Sequence, residues 1–405
     1  MDPSGCLALS TRTDFTAYID LLRNATGGDF SLVKDCKTNV CGALWGSGNP
    51  DISGIGMAIG YILESFICAC LVAISMWFER SAKGHPIIGR LLVANATTTF
   101  FDNAIFFTFA IQTASIVTLS GVDFGVNAVG MGGFTVEIAW LVSSLTLLPL
   151  LPMVLRPKMF LEGGATYAAR RRSSSGTDIS QDGYEEPGSG ADGQSGSLSD
   201  ARRGQRFFLF VICWAMGFCP FFSRMGGTFG EWRHYVKEHC LTNAGESRIG
   251  SSPNTAITFE EWSVIAGVCF EGVSTISSDE RNLTTAFGIL SYLLLSIVVI
   301  SKILSSALED KDHKQNWLTK CYSAFGGGII GWYTRLGIDV VVVIALVVQF
   351  WAFFRLRQLQ SVMIRAAGGS FPDGQWTFGQ IVAIVVFVPV AAEVMFVWKR
   401  RSLYL

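Results

Sequence analysis

The chain has 405 residues, of which 50% are hydrophobic and 16% charged, with a mean hydropathy of +0.40 and a formal net charge of -1. Soluble domains carry about 25% charged residues, so this balance excludes an ordinary water-soluble enzyme, and the near-zero charge argues against a nucleic-acid partner. The chain is therefore read for membrane spans, each of which needs about 20 apolar residues.

Residues 1–52 form an N-terminal segment that holds Cys6, Cys36, Cys41 and the sequon Asn24-Ala-Thr. Residues 53–162 carry the first three predicted spans: Ser53 to Trp77, Ile88 to Leu119 and Met131 to Leu155. The second exceeds what a bilayer needs, so it tilts or extends past the lipid at one end. Residues 163–205 are rich in Gly, Ser and Asp, have almost nothing apolar to bury, and read as a disordered linker.

Residues 206–405 carry four more spans. Phe207 to Met225 is short and contains Pro220 and Arg224; Ala286 to Leu308, Leu336 to Phe354 and Phe378 to Trp398 follow. Between the fourth and fifth, residues 226–281 hold Trp232, Tyr235, Phe259, Trp262 and Phe270, aromatic surface enough to fold as a cap. The expected fold is all-α, a polytopic membrane helix bundle of about seven transmembrane helices.

Basic residues set the orientation. They collect after the first span (Arg80, Lys83, Arg90), after the third (Arg156, Lys158, Arg170 to Arg172, Arg202, Arg203, Arg206), after the fifth (Lys311, Lys314, Lys320) and at the end (Lys399 to Arg401). All four groups fall on one side, which predicts a luminal N-terminus and a cytosolic C-terminus; the expected location is an integral membrane position in the endoplasmic reticulum. The second sequon, Asn282-Leu-Thr, and Cys240 and Cys269 fall on the luminal side with the first three cysteines, where disulfides persist. The simplest pairing is Cys36 with Cys41 and Cys240 with Cys269. Arg355, Arg357 and Arg365 break the charge rule, and "RLRQLQSVMIR" is expected to lie on the membrane as an amphipathic helix.

Ionisable residues inside a bilayer cost at least about 2.5 kcal/mol each, so each is a functional candidate. Asp339 has Arg335 one turn away for a structural pair, and Glu393 can reach toward Lys399 and Arg400. Glu64, Asp102 and Glu137 have no basic neighbour in their own helices and are expected to reach one cavity. Desolvation favours the neutral form of a carboxyl, and a neutral carboxylic acid donates protons. Asp102 is the leading candidate acid, with Glu64 and Glu137 orienting it or taking the final proton. Tyr61, Asn95, Asn103, Phe106 and Trp140 are the candidate substrate contacts; Asn103 alternatively bonds an adjacent helix.

No DDxxD, NSE or DxDD run is present to hold a magnesium diphosphate, and no HExxH or paired CxxC supports zinc. Cys68 and Cys70 read as packing, and no cofactor is expected. The stretches "NPDISGIG", "FFDNAIFFTFAIQ" and "WTFGQIVAIVVFVPV" resemble a group of filamentous-fungal proteins that includes integral-membrane terpene cyclases of meroterpenoid clusters, of the ascofuranone and ascochlorin type. The resemblance implies a lipophilic prenylated aromatic whose terminal epoxide is protonated, followed by carbocation cyclisation, with membrane lipid around the protein and no obligate protein partner. A seven-helix receptor and a proton-coupled transporter are the competing classes.

Overall fold

The computed structural model describes residues 32–45, 49–80, 87–120, 133–156, 192–229, 277–309, 328–366 and 376–401, with residues 6, 23–24, 265, 267–269 and 368. Among them every regular element is helical. In chain order these are α1 (Leu32–Asp35), α2 (Lys37–Trp45), α3 (Pro50–Ser53), α4 (Ile55–Arg80) and α5 (Ile87–Ser120). Next come α6 (Gly133–Leu147), a 3₁₀ turn at Leu148–Leu150, α7 (Leu151–Val154), α8 (Asp192–Phe229) and α9 (Ser278–Glu309). Last are α10 (Gly328–Ala366), α11 (Phe378–Val385) and α12 (Val388–Arg401).

Six helical stretches are long and apolar enough to cross a membrane: Pro50–Phe78, Leu92–Ser120, Phe134–Val154, Gly204–Met225, Asp279–Leu304 and Tyr333–Ala366. The seventh apolar segment is broken at Val386 and Phe387 into α11 and α12, just before Pro389, which the first turn of a helix tolerates because its missing N–H would be unpaired there anyway. The outer surface is greasy. Phe66 is 65% exposed, Ile297 62% and Val347 63%, a distribution that suits lipid rather than water. Tyr333 and Trp351, both exposed on α10, lie about 27 Å apart along its axis, close to the ~30 Å hydrocarbon thickness that interfacial aromatics bracket.

The third span is the centre of the bundle. Its apolar window is 83% buried, against 28–44% for the other five. Ser143, Ser144 and Thr146 lie on it and are wholly buried; small side chains of this kind let neighbouring backbones approach. The span does not stay α-helical throughout: Pro149 and Pro152 cannot donate to the helical ladder, and the chain tightens into 3₁₀ before resuming as α7.

Two expectations are corrected at this level. Residues 192–205, read as linker, are the opening turns of α8; once an apolar segment is anchored as helix, each added residue gains a hydrogen bond without paying again for nucleation. The "RLRQLQSVMIR" stretch is the uninterrupted continuation of α10, not a separate surface helix. Its apolar side (Leu356, Leu359, Met363) is buried at 1–3% exposure with α2 packed against the helix. Gly368, with φ +83°, supplies the left-handed residue just beyond its end. Residues 163–191 and the cap aromatics Trp232, Tyr235, Phe259, Trp262 and Phe270 lie outside the described residues.

The disulfides also differ from the simplest pairing. Cys6 bonds Cys36 and Cys41 bonds Cys269, so Cys36 and Cys41 are not partners. Successive turns at α1 and α2 aim these two cysteines at different neighbours. Cys240 lies outside the described residues. The end of the bundle that carries Cys41 and Cys269 is called the disulfide end below.

The first and last spans interlock there. Asn49 caps α3, accepting from the Asp51 N–H at 3.0 Å, and its side-chain amide donates to Thr118 at 2.8 Å. Gln380 on α11 accepts from the Gly56 N–H at 2.9 Å and donates to the Pro50 carbonyl at 3.0 Å. A Cβ on Gly54 would stand 2.2 Å from Gln380 Nε2, so only glycine admits this contact.

Candidate functional site

The three candidate acids sit in three layers, not in one cavity. Glu64 shares its level with Thr108 and Thr146, through a Thr108 hydroxyl that lies 3.5 Å from Glu64 Oε1 and 3.2 Å from the Thr146 carbonyl. At 1.5 Å per helical residue, Glu137 on α6 is about 13 Å from that level toward the disulfide end, and Asp102 on α5 about 9 Å toward the opposite end. A single substrate atom cannot meet all three. The sequence places each acid on its own helix, but only the antiparallel register of α4, α5 and α6 fixes their depths.

Two of the three are ion-paired by arginines from α8, which reading each helix alone does not reveal. Arg206 grips Asp102 through Nε and Nη2 at 2.6 and 2.7 Å, and the Asp102 side chain is 43% exposed. Arg224 meets Glu137 at 2.6 Å. Asp102 thus forms a forked pair with a guanidinium, and the expectation that it stands unpaired is corrected. Asp339 likewise pairs with Arg156, not Arg335, in a contact where Arg156 also donates to the Pro152 carbonyl at 3.0 Å. Arg156 follows α7 and is 2% exposed; the break in the third span brings it under α10. The Glu393 side chain lies outside the described residues.

Glu64 is different. It is 0% exposed, forms no ion pair among the described residues, and its Oε2 has no hydrogen-bond partner. Its one hydrogen-bond partner among the described residues, the Thr108 hydroxyl, has a single proton and lies closer to the Ala104 carbonyl, at 2.9 Å, than to Glu64. Tyr61, one turn before Glu64, is also fully buried; its hydroxyl donates to the Ile52 carbonyl at 2.9 Å, which fixes the ring. That ring lies 5.9 Å from Phe107 and 5.8 Å from Phe353, and Phe107 is 5.7 Å from Phe387. An aromatic wall from α4, α5, α10 and the α11–α12 break thus stands beside the acid. Cys68, the next turn of α4, donates to the Pro149 carbonyl at 2.7 Å and packs as expected.

The other predicted contacts divide. Trp140 is wholly buried at the disulfide end beneath Arg224, whose guanidinium lies 5.6 Å above its ring. Phe106 is 59% exposed and faces outward: position 106 points away from Glu64 while Phe107 and Thr108 point in. The Asn103 amide nitrogen is buried and has no hydrogen-bond partner among the described residues. Asn95 gives its carbonyl to Thr98 at 2.9 Å and lies far from Glu64 along α5.

A buried polar chain around α6 was not anticipated. Ser143 donates to Gln112 at 2.7 Å and lies 2.8 Å from the Tyr292 hydroxyl. Ser144 donates to Gln349 at 3.0 Å, and Gln349 donates to Ser291 at 2.6 Å. These bonds tie α5, α9 and α10 to the central helix. The signal was available in "WLVSSLT" and in two glutamines within apolar runs, but a search for charges alone passes over neutral polar groups. Comparison with protein-family models, with curated proteins and with solved structures finds no match.

Proposed function

We propose that the chain is a membrane-embedded, acid-initiated cyclase acting on a lipophilic prenylated aromatic with a terminal epoxide, and that Glu64, not Asp102, is the proton donor. One observation carries the choice of acid: of the three candidates, Glu64 alone is buried at mid-bundle with no cation and with an unpartnered carboxyl oxygen. Leaving a charge there uncompensated costs several kcal/mol, so the group is held as the neutral acid. The resemblance of the three sequence stretches supports the substrate class, and the basic-residue asymmetry supports a luminal N-terminus.

The chemistry follows from this. The Glu64 O–H gives its proton to the epoxide oxygen as the C–O bond to the more substituted carbon breaks. The resulting cation is attacked by a chain alkene, which forms the ring C–C bond. Loss of a proton from the cyclised cation to the Glu64 carboxylate restores the acid. Tyr61, Phe107, Phe353 and Phe387 supply ring faces to the cation, each worth about 0.5–2 kcal/mol, and the packed bundle keeps water from intercepting it. Purified protein in lipid nanodiscs, given prenylated phenol epoxides and followed by mass spectrometry, tests the reading. Glu64→Gln should lower turnover at least about 100-fold, whereas Asp102→Asn should keep turnover within about tenfold. Failure of the wild-type protein to form any ring product across the epoxide panel would sink the cyclase reading in favour of a receptor or transporter.

A further inference from the structure

A second site lies at the disulfide end. Four helices open a cleft there: Glu137 comes from α6, Arg224 from α8, Glu280 and Arg281 from α9, and Trp351 and Arg355 from α10. Their local structure holds them in place. Ser277 and Glu280 form a reciprocal cap on α9, the Glu280 N–H donating to Ser277 Oγ at 3.2 Å and the Ser277 N–H donating to Glu280 Oε2 at 3.0 Å. The other oxygen, Glu280 Oε1, accepts from Arg355 Nε at 3.3 Å. Both acids of the cleft are thereby committed, Glu280 on its two oxygens and Glu137 to Arg224 at 2.6 Å.

Three arginines against two glutamates leave one positive charge, and it belongs to Arg281, which forms no ion pair among the described residues. Beside this donor surplus stands an apolar wall of Trp351, Ala352 and Leu356. Trp351 is 42% exposed on a helix long and apolar enough to cross a membrane. Donors without a spare acceptor call for an oxyanion, and an apolar wall opening to lipid calls for a chain.

We propose that this cleft binds an anionic amphiphile, its carboxylate or phosphate on Arg281 and its chain along Trp351. The site is independent of Glu64, which lies a layer deeper. Calorimetric titration of the protein in zwitterionic nanodiscs, with empty nanodiscs subtracted, tests it. Decanoate and decyl phosphate separate the two head groups; decanol lacks the charge, and acetate and inorganic phosphate lack the chain. Saturable binding is expected for at least one of the two charged chains and not for decanol, acetate or phosphate. Arg281→Gln should weaken it at least about tenfold, the loss of a charge-assisted contact, and Arg281→Lys should restore most of it. Glu64→Gln should leave the titration unchanged, so failure here and failure of the cyclase reading are distinguishable. No saturable binding, decanol or the chainless anions binding as well as the charged chains, or Arg281→Gln binding like the wild type would each overturn the proposal.

Discussion

Gly288→Ala places a methyl group where the third and fifth spans are keyed together. The added Cβ would stand 2.1 Å from Trp140 Cζ2 and 2.2 Å from Cη2. Ordinary contact begins at 3.4 Å, so the helices or the indole must give by about 1.3 Å. Trp140 is 0% exposed, rigid, and roofed by Arg224, with Met225 and Tyr292 in the same cluster, so the ring has nowhere to turn. Overpacking of a tight core costs about 1–3 kcal/mol, and a clash this deep against a rigid ring belongs at the upper end. Titration with sodium dodecyl sulfate in mixed micelles, read by tryptophan fluorescence, gives the loss. Trp140→Phe removes the part of the indole that collides, so Gly288→Ala combined with Trp140→Phe should be more stable than the two single losses summed, by at least about 1 kcal/mol. A Gly288→Ala protein within about 0.5 kcal/mol of wild type, or strict additivity, would refute the keyed packing.

Asp339→Leu leaves Arg156 buried without its carboxylate and should cost about 3–5 kcal/mol, while Arg156→Met with Asp339→Leu should recover more than half of it in the same titration; equal losses in the single and double variants would refute the pair. Non-reducing peptide mapping should return Cys6 with Cys36 and Cys41 with Cys269. A peptide joining Cys36 to Cys41 would overturn that connectivity.

Much of the architecture was legible because hydrocarbon is a severe solvent: seven apolar runs in the sequence correspond to the six spanning helices and the broken pair α11–α12. Helix ends were harder to read. α8 starts well inside a polar stretch, since its opening turns are held by propagation from the apolar part and not by their own composition. The acids were found by type and misjudged by environment. Nothing along α5 announces that Arg206, 104 positions away, will close on Asp102, because an ion pair between helices depends on their relative depth. The stretches that carry the family resemblance have a clear physical role. "NPDISGIG" and "WTFGQ" meet at Gln380, and Phe100 stacks on Phe387 at 5.9 Å. Much of that pattern therefore encodes docking of the first, second and last spans.

That docking has a consequence for biosynthesis. Gly56 and Gln380 are 324 residues apart, and at about 5–20 residues per second the ribosome needs roughly 15–65 s to cover the interval. Through all of it the first span waits in the bilayer with the backbone N–H of Gly56 unmet and the notch at Gly54 unfilled. A helix that emerges late, α11, is the one that completes α4. A nonsense codon or a misfolded segment near residue 376 thus damages α4 as much as α11, leaving an open, polar groove at the head of α4 for quality control to detect.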